Sequence, residues 1–217
     1  VAQVTTLLYL VRHGETDWNR QRRIQGSTDI PLNDTGRAQA AAAADLLARR
    51  RFDAVVASPL SRAFETGSII ASKLGLDIPT IEDGLAERSY GEAEGMTGDE
   101  IAERFPNGTV PGRESRTALL ARATEALGEI AIRFDGATVV VATHGAVIRA
   151  VVNAAAPGVA ESFSTPIRNG SIHSFRWDQE RFRAELVRFD DPIDVESEAA
   201  GRYEFAYQNP LERDEKE

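Results

Sequence analysis

Three short runs of uninterrupted apolar residues, 7–11, 54–57 and 139–142, each stop abruptly at a polar segment and are then followed by a helical pattern. The segments are Arg12-His13-Gly14, Ser58-Pro59 and Thr143-His144-Gly145. Runs this short and this apolar suit strands covered on both faces, as in a parallel sheet with helices on either side. The intervening stretches support that reading. Residues 37–50 are rich in Ala and Leu without a breaker, 61–74 run to Gly75, and 115–134 and 146–156 have helical character. Asn33 and Asp34 are candidate caps for the first of these helices. Residues 78–81 read as a third strand, 98–105 as a short helix, and 172–177 with 184–189 as an alternating antiparallel pair. Strands separated by helices predict an α/β fold with a mostly parallel central sheet.

The 217 residues suit one domain, assigned to 1–193, with a Gly/Pro-rich crossover insertion at 84–112. Residues 194–217 form an acidic tail with eight acids against three bases, in which Tyr203, Phe205 and Tyr207 alternate as if to dock. There is no cysteine, which excludes a disulfide scaffold, a thiolate metal site and a cysteine nucleophile. A net charge of −9 argues against general nucleic-acid binding, so any bound anion needs a local cationic pocket. Of the 25 basic residues 23 are Arg, so arginine abundance by itself says nothing about phosphate. The first apolar run is too short to span a membrane and has no basic leader, so a cytoplasmic location without membrane partners is expected.

In open α/β sheets, sites form beyond the carboxyl ends of the strands, where the three polar segments lie. His13 there can be nucleophile, base or ligand, and Gly14 beside it predicts backbone amides open to an anion. Arg62 falls on the first turn of its helix, where a cation and a helix N-terminus can serve one anion. Of three histidines, His13 and His144 sit at strand ends next to Gly, whereas His173 lies inside a predicted strand, where it packs or faces solvent.

Arg12-His13-Gly14-Glu15-Thr16, Ser58-Pro59-Leu60-Ser61-Arg62-Ala63, Glu87 and Thr143-His144-Gly145 together resemble the histidine phosphatase superfamily, also called the phosphoglycerate mutase-like family, in order and spacing over about residues 7–190. The resemblance implies a three-layer α/β/α sandwich. It implies His13 as the nucleophile that becomes phosphohistidine, with Arg12, Arg62 and His144 holding the phosphoryl oxygens. Glu87 would protonate the leaving oxygen and then activate water. Asn19, Gln25 and Gly26 would lie along the bound substrate, as would Tyr90 and Gly145. Such chemistry needs no metal and no cofactor, since two guanidinium groups can supply the charge stabilisation. Arg20, Arg22 and Arg23 either rim the pocket or form a solvated run, and Trp18 is expected to pack under the loop.

Glu87-Arg88-Ser89-Tyr90-Gly91 resembles the phosphoglycerate mutase version of its segment. The mutases of this family, however, carry a longer insertion next, with a Lys and an Arg pair. Here residues 96–116 hold no Lys and only the separated Arg104, Arg113 and Arg116. Glu114-Ser115 also resembles the phosphatase branch. The expectation is therefore a metal-independent phosphomonoesterase acting on a small phosphorylated metabolite, as monomer or homodimer. The alternative is a 2,3-bisphosphoglycerate-dependent phosphoglycerate mutase. A non-catalytic phosphate-binding module would lack the nucleophile or the acid. A metal hydrolase on His13 and His144 lacks a third ligand at metal-site spacing, and the arginines would repel the ion. Substrate specificity is expected from residues 21–31, 88–113 and 153–169.

Overall fold

Alternation along the central strands decides which helix lies on which face of the sheet. The computed structural model describes residues 5–156 and 165–193. In chain order its elements are β1 (Leu7–Arg12), α1 (Asp17–Arg20), α2 (Asp34–Leu47), β2 (Ala54–Ala57), α3 (Ser61–Leu74), β3 (Thr80–Ile81), α4 (Gly98–Arg104), α5 (Arg116–Arg133), β4 (Thr138–Thr143), α6 (Gly145–Ala155), β5 (Ile172–Asp178) and β6 (Arg183–Arg188). Successive side chains on a strand point to opposite faces. Leu8, Leu10, Val139, Val141 and Val56 pack with α5 and α6. Their neighbours Tyr9, Val11, Val140 and Val55 pack with α2 and α3. The result is an α/β/α sandwich whose sheet is apolar on both sides, as the unbroken runs predicted.

The sheet order is β3-β2-β4-β1-β5-β6. β3, β2, β4 and β1 are parallel, and β5 runs antiparallel to both β1 and β6. The chain moves outward from β1 to β3 with α2 and α3 on one face. It then returns to β4 between β1 and β2 with α5 on the other face. Right-handed crossovers require that change of face when direction reverses. The carboxyl ends of β2, β4 and β1 therefore stand side by side, which brings the three polar segments together.

Local chemistry moves some boundaries. α2 starts three residues before the predicted 37, because the Asn33 side chain caps it by accepting from the Gly36 amide at 2.8 Å. β3 shrinks from the predicted 78–81 to Thr80–Ile81. Pro79 has no N–H to give a ladder, and Ile78 at the sheet edge is 75% exposed. Ser115 caps α5 through the Ala118 amide. The crossover forms a separate small cluster in which Ile24, Tyr90, Ala93, Ile101 and Val110 are buried. The acidic tail and its aromatic residues lie outside the described residues, as does part of the expected specificity segment 153–169.

Candidate active site

Backbone bonds between neighbouring strand ends set the frame. The His13 amide donates to the Thr143 carbonyl at 2.9 Å, and the Ser58 amide to Ala142 at 3.0 Å. On the other side of β1, Arg12 exchanges bonds with Ser171 and Gly170. His13 and His144 thereby face each other with ring centroids 5.2 Å apart.

His13 is buried, and its Nδ1 lies 2.7 Å from the Gly14 carbonyl. A carbonyl only accepts, so Nδ1 carries the proton and Nε2 carries the lone pair. Burial pushes the imidazole pKa well below its usual value, and the Arg62 and Arg12 charges push it further, against a small opposing effect of the Gly14 carbonyl. At neutral pH the ring is uncharged with Nε2 as its nucleophilic atom.

His144 is the N-cap residue of α6. Its Nε2 lies 2.7 Å from Ser58 Oγ, which accepts in turn from the Leu60 amide at 3.3 Å. With Ser58 receiving one proton from Leu60, its own hydroxyl proton is available to Nε2. We assign the ring proton to Nδ1 on that basis. Among the described residues Nδ1 is buried with no hydrogen-bond partner. Burial, and then the charge of Arg62, depress this pKa as well, so His144 is a neutral donor.

Arg62 is fully buried on the first turn of α3. Its terminal nitrogens donate to the carbonyls of Gly26 at 2.7 Å and Thr28 at 2.9 Å, while among the described residues Nε has no partner. Burial lowers its pKa to about 10, partly offset by Glu87, Asp29 and Glu94, so the cation persists at neutral pH. Arg12 is also buried and donates to the Ile167 carbonyl at 2.6 Å. Gly145 lies against this guanidinium, and a Cβ there would stand 3.4 Å from Cζ.

Glu87 comes from the crossover. Its Oε1 accepts from the Arg88 amide at 2.8 Å and its Oε2 from the Ala146 amide at 3.3 Å, placing the carboxyl at the N-terminal turn of α6 beside His144. The five residues expected to do the chemistry thus lie around one buried cationic point.

Asn19 is buried, and its Oδ1 accepts from the Thr16 amide at 3.1 Å and from Asn169 at 3.4 Å. Gln25 accepts from the Thr16 hydroxyl at 2.8 Å. Gly26 adopts φ +54° and turns its carbonyl to Arg62, so it orients that guanidinium. The Tyr90 ring packs within the crossover cluster. Gly14 does not offer its amide to an anion, because that N–H donates to Thr66 Oγ1 at 3.1 Å. Glycine is required there by α2, since a Cβ would lie 2.1 Å from the Gly36 carbonyl oxygen. The first amide of α3 is likewise occupied, Ser61 donating to Asp29 at 2.8 Å. Arg23 is bonded to Gly95 and Glu100, Arg20 pairs with Asp17, and Trp18 packs over Gly95.

Four supporting residues escaped sequence reasoning. Ser58 orients His144, and Asn169 donates to the His13 carbonyl at 2.9 Å. Glu94 accepts from the amides and hydroxyls of Ser27 and Thr28 and from the Tyr90 amide. Burial alone would raise the Glu94 pKa, but these donors outweigh it and hold it below the usual carboxylate range. It therefore anchors the loop whose carbonyls grip Arg62. Arg122 is bonded to the segment that carries Glu87. Among the described residues no three His, Asp or Glu side chains converge to hold a metal, and no helix is long and apolar enough to cross a membrane.

The family model described as histidine phosphatase superfamily (branch 1) matches residues 8–190. The chain is 38% identical over 178 residues to the uncharacterized phosphatase PhoE of Bacillus subtilis, covering 82% of this chain and 92% of that protein. It is 36% identical over 163 residues to a 2,3-bisphosphoglycerate-dependent phosphoglycerate mutase of Gloeobacter violaceus, covering 67% and 74%. The solved mycobacterial glucosyl-3-phosphoglycerate phosphatase Rv2419c superposes with TM-score 0.75 at 26% identity, covering 86% of this chain and 99% of that one.

Proposed function

The chain belongs to the histidine phosphatase superfamily, and from that premise we propose that it is a metal-independent phosphomonoesterase that works through a phosphohistidine on His13. The observation that carries this reading is the pair of buried donors, Arg62 Nε and His144 Nδ1, that have no partner among the described residues and lie close to a neutral His13 whose Nε2 holds a lone pair. Buried polar groups are normally satisfied by the fold, and exceptions call for an explanation in function. Here the missing partner is a phosphoryl group. Its oxygens accept from Arg62, Arg12 and His144 while Nε2 attacks phosphorus.

The bond to the leaving oxygen breaks as Glu87 delivers its proton to that oxygen. In the second half, the Glu87 carboxylate takes a proton from water as the water oxygen bonds to phosphorus. The P–N bond breaks, its electron pair returns to Nε2, and inorganic phosphate leaves. Preorganised guanidinium and imidazole donors in a water-poor site provide the charge stabilisation that phosphoryl transfer needs. Asn19 and Gln25, whose side-chain oxygens are bonded to Thr16, have their amide nitrogens to offer the substrate.

The short crossover without Lys favours hydrolysis over mutase action, because a mutase must also retain a doubly phosphorylated intermediate and exclude water. The phosphatases among its relatives support the same reading. The mutase relative and the Glu87–Gly91 segment keep the isomerase as the second reading.

The test is to quench turnover of a labelled phosphomonoester in the presence of EDTA. Acid-labile, alkali-stable label should appear on the wild-type protein and vanish in His13→Ala. Label on Ser58 or Ser61 would overturn the assignment. Phosphate release, measured beside interconversion of 3- and 2-phosphoglycerate on one sample, should be the faster of the two.

A further inference from the structure

Glu87 lies in an irregular crossover segment, whereas Arg12 and Arg62 stand on β1 and α3 and His13 and His144 directly follow β1 and β4. An acid on such a segment needs its backbone fixed from outside. Four successive carbonyls there are tied to side chains of the sandwich. Arg122 Nη1 donates to Gly84 at 2.8 Å and Ala86 at 2.7 Å, and Nη2 donates to Glu87 itself at 3.1 Å. Thr143, immediately before His144, donates to the carbonyl between them, Leu85, at 2.8 Å.

Arg122 sits on α5 and is itself held by Glu114, with Nε to one carboxylate oxygen at 2.7 Å and Nη2 to the other at 2.9 Å. This fork is partly buried, Arg122 at 27% and Glu114 at 18% side-chain exposure. Burial works against the Glu114 carboxylate, yet its bonds to Arg122 hold its pKa below the usual range. Glu114 is also stitched to the residues that directly follow Glu87, its amide donating to the Ser89 carbonyl at 2.8 Å and its carbonyl accepting from Arg88 at 2.9 Å. The planar guanidinium, with five donors in a fixed fork, suits a task that lysine cannot perform.

We propose that Arg122 is a positioning residue for the proton-transfer step: it fixes the Glu87 backbone so that the carboxyl meets the leaving oxygen. The inference rests on the proposed role of Glu87 as general acid. It concerns a residue that acts only through another, with no part in holding the phosphoryl group.

Leaving-group dependence tests it. An aryl ester such as p-nitrophenyl phosphate expels a stabilised phenolate and needs little help from an acid, whereas an alkyl ester such as glycerol 2-phosphate needs the proton. The quantity to compare is kcat/KM, which covers the steps up to phosphorylation of His13. Glu87→Gln should lower it for the alkyl ester by roughly a hundredfold or more, the usual scale of general acid catalysis, and far less for the aryl ester. Arg122→Ala should show the same selectivity with a smaller loss, about tenfold on the alkyl ester. If Arg122→Ala does not yield folded protein, Arg122→Lys is read instead, with selective loss again expected. Equal losses on both esters in the Arg122 variant, beside a selective Glu87→Gln, would overturn the positioning role. A Glu87→Gln variant without selectivity would overturn the acid assignment on which it rests.

Discussion

His144 at the end of β4 and His173 inside β5 are both buried and both kept from protonating, chiefly by that burial. They differ in what their nitrogens meet. His173 Nδ1 accepts from the Asp190 amide at 3.0 Å, its Nε2 lies 2.9 Å from Ser171 Oγ, and its ring packs on Phe189. His144 has one nitrogen on Ser58 and, among the described residues, the other on nothing. The fold closes the hydrogen bonds of one histidine and leaves the other open at a point shared with Arg62. An uncharged buried imidazole is therefore no mark of function by itself. The unmet donor is, because leaving one costs stability, about 1–3 kcal/mol, that a bound ligand can restore.

The largest expected effect breaks the open side of this comparison. Arg62→Ala removes the donor that the proposed mechanism assigns to the phosphoryl oxygens and should slow turnover by roughly a hundredfold to a thousandfold, about 3–4 kcal/mol. Thermal denaturation should show a loss of stability as well, because the carbonyls of Gly26 and Thr28 lose their donor, a loss only partly offset by removing a fully buried charge, so turnover is compared on folded protein. Unchanged turnover would reduce Arg62 to a structural tie for residues 26–28.

The closed side should respond the opposite way. His173→Ala leaves the Asp190 amide and the Ser171 hydroxyl unpaired and opens a cavity beside Phe189, at a cost of about 2–3 kcal/mol in denaturant unfolding. Turnover of the remaining folded enzyme should change little. The pH dependence of stability sharpens the point. The pKa of His173 is lowered to about 4 in the folded protein, whereas unfolded histidine titrates near 6.5. Above about pH 6.5 both states are neutral and the contribution is complete. As pH falls from there through about 4, the unfolded chain takes up the proton first, and stability drops by about 3 kcal/mol from this residue. The drop should be smaller in His173→Asn. An equal drop would assign the acid sensitivity to the other groups with depressed pKa values, His13 and His144 together with carboxylates such as Glu94 and Glu114.

The contrast also explains which parts of the site were legible in the sequence. His13, Arg12 and His144 stand at the ends of apolar runs, and a parallel sheet gathers strand ends by its topology, so their convergence follows from the hydrophobic pattern. Arg62 followed from its place on the first turn after β2. Glu94 and Arg122 left no such trace. Glu94 works on the amides of Ser27 and Thr28, 67 and 66 residues away, and Arg122 on carbonyls up to 38 residues away. A backbone group has the same chemistry under every side chain, so sequence does not record which carbonyl an arginine will find. Gly14 shows the reverse problem. Its identity was legible, but the reason lay in the close approach of Gly36 rather than in an anion.

The smallest effect concerns how the open nitrogen of His144 is kept in its donor form. Ser58 is buried, accepts from the Leu60 amide and, on the tautomer assigned above, gives its own proton to His144 Nε2. In the proposed mechanism that bond holds the ring proton on Nδ1, where a phosphoryl oxygen would accept it. Ser58→Ala deletes one oxygen and leaves the strand bond from the residue 58 amide to Ala142 in place. The ring would then be free to choose either tautomer and to rock about its Cβ–Cγ bond. Turnover should fall by about tenfold, on the order of one ordinary hydrogen bond. The acid limb of the pH profile should stay where it is, because burial and the two arginines, not the serine, hold the histidine pKa values down. Ser58→Thr, which keeps the hydroxyl, should recover most of the activity. A limb that moved toward higher pH in Ser58→Ala would mean that water had entered the pocket, and that Ser58 acts by sealing it rather than by setting the tautomer.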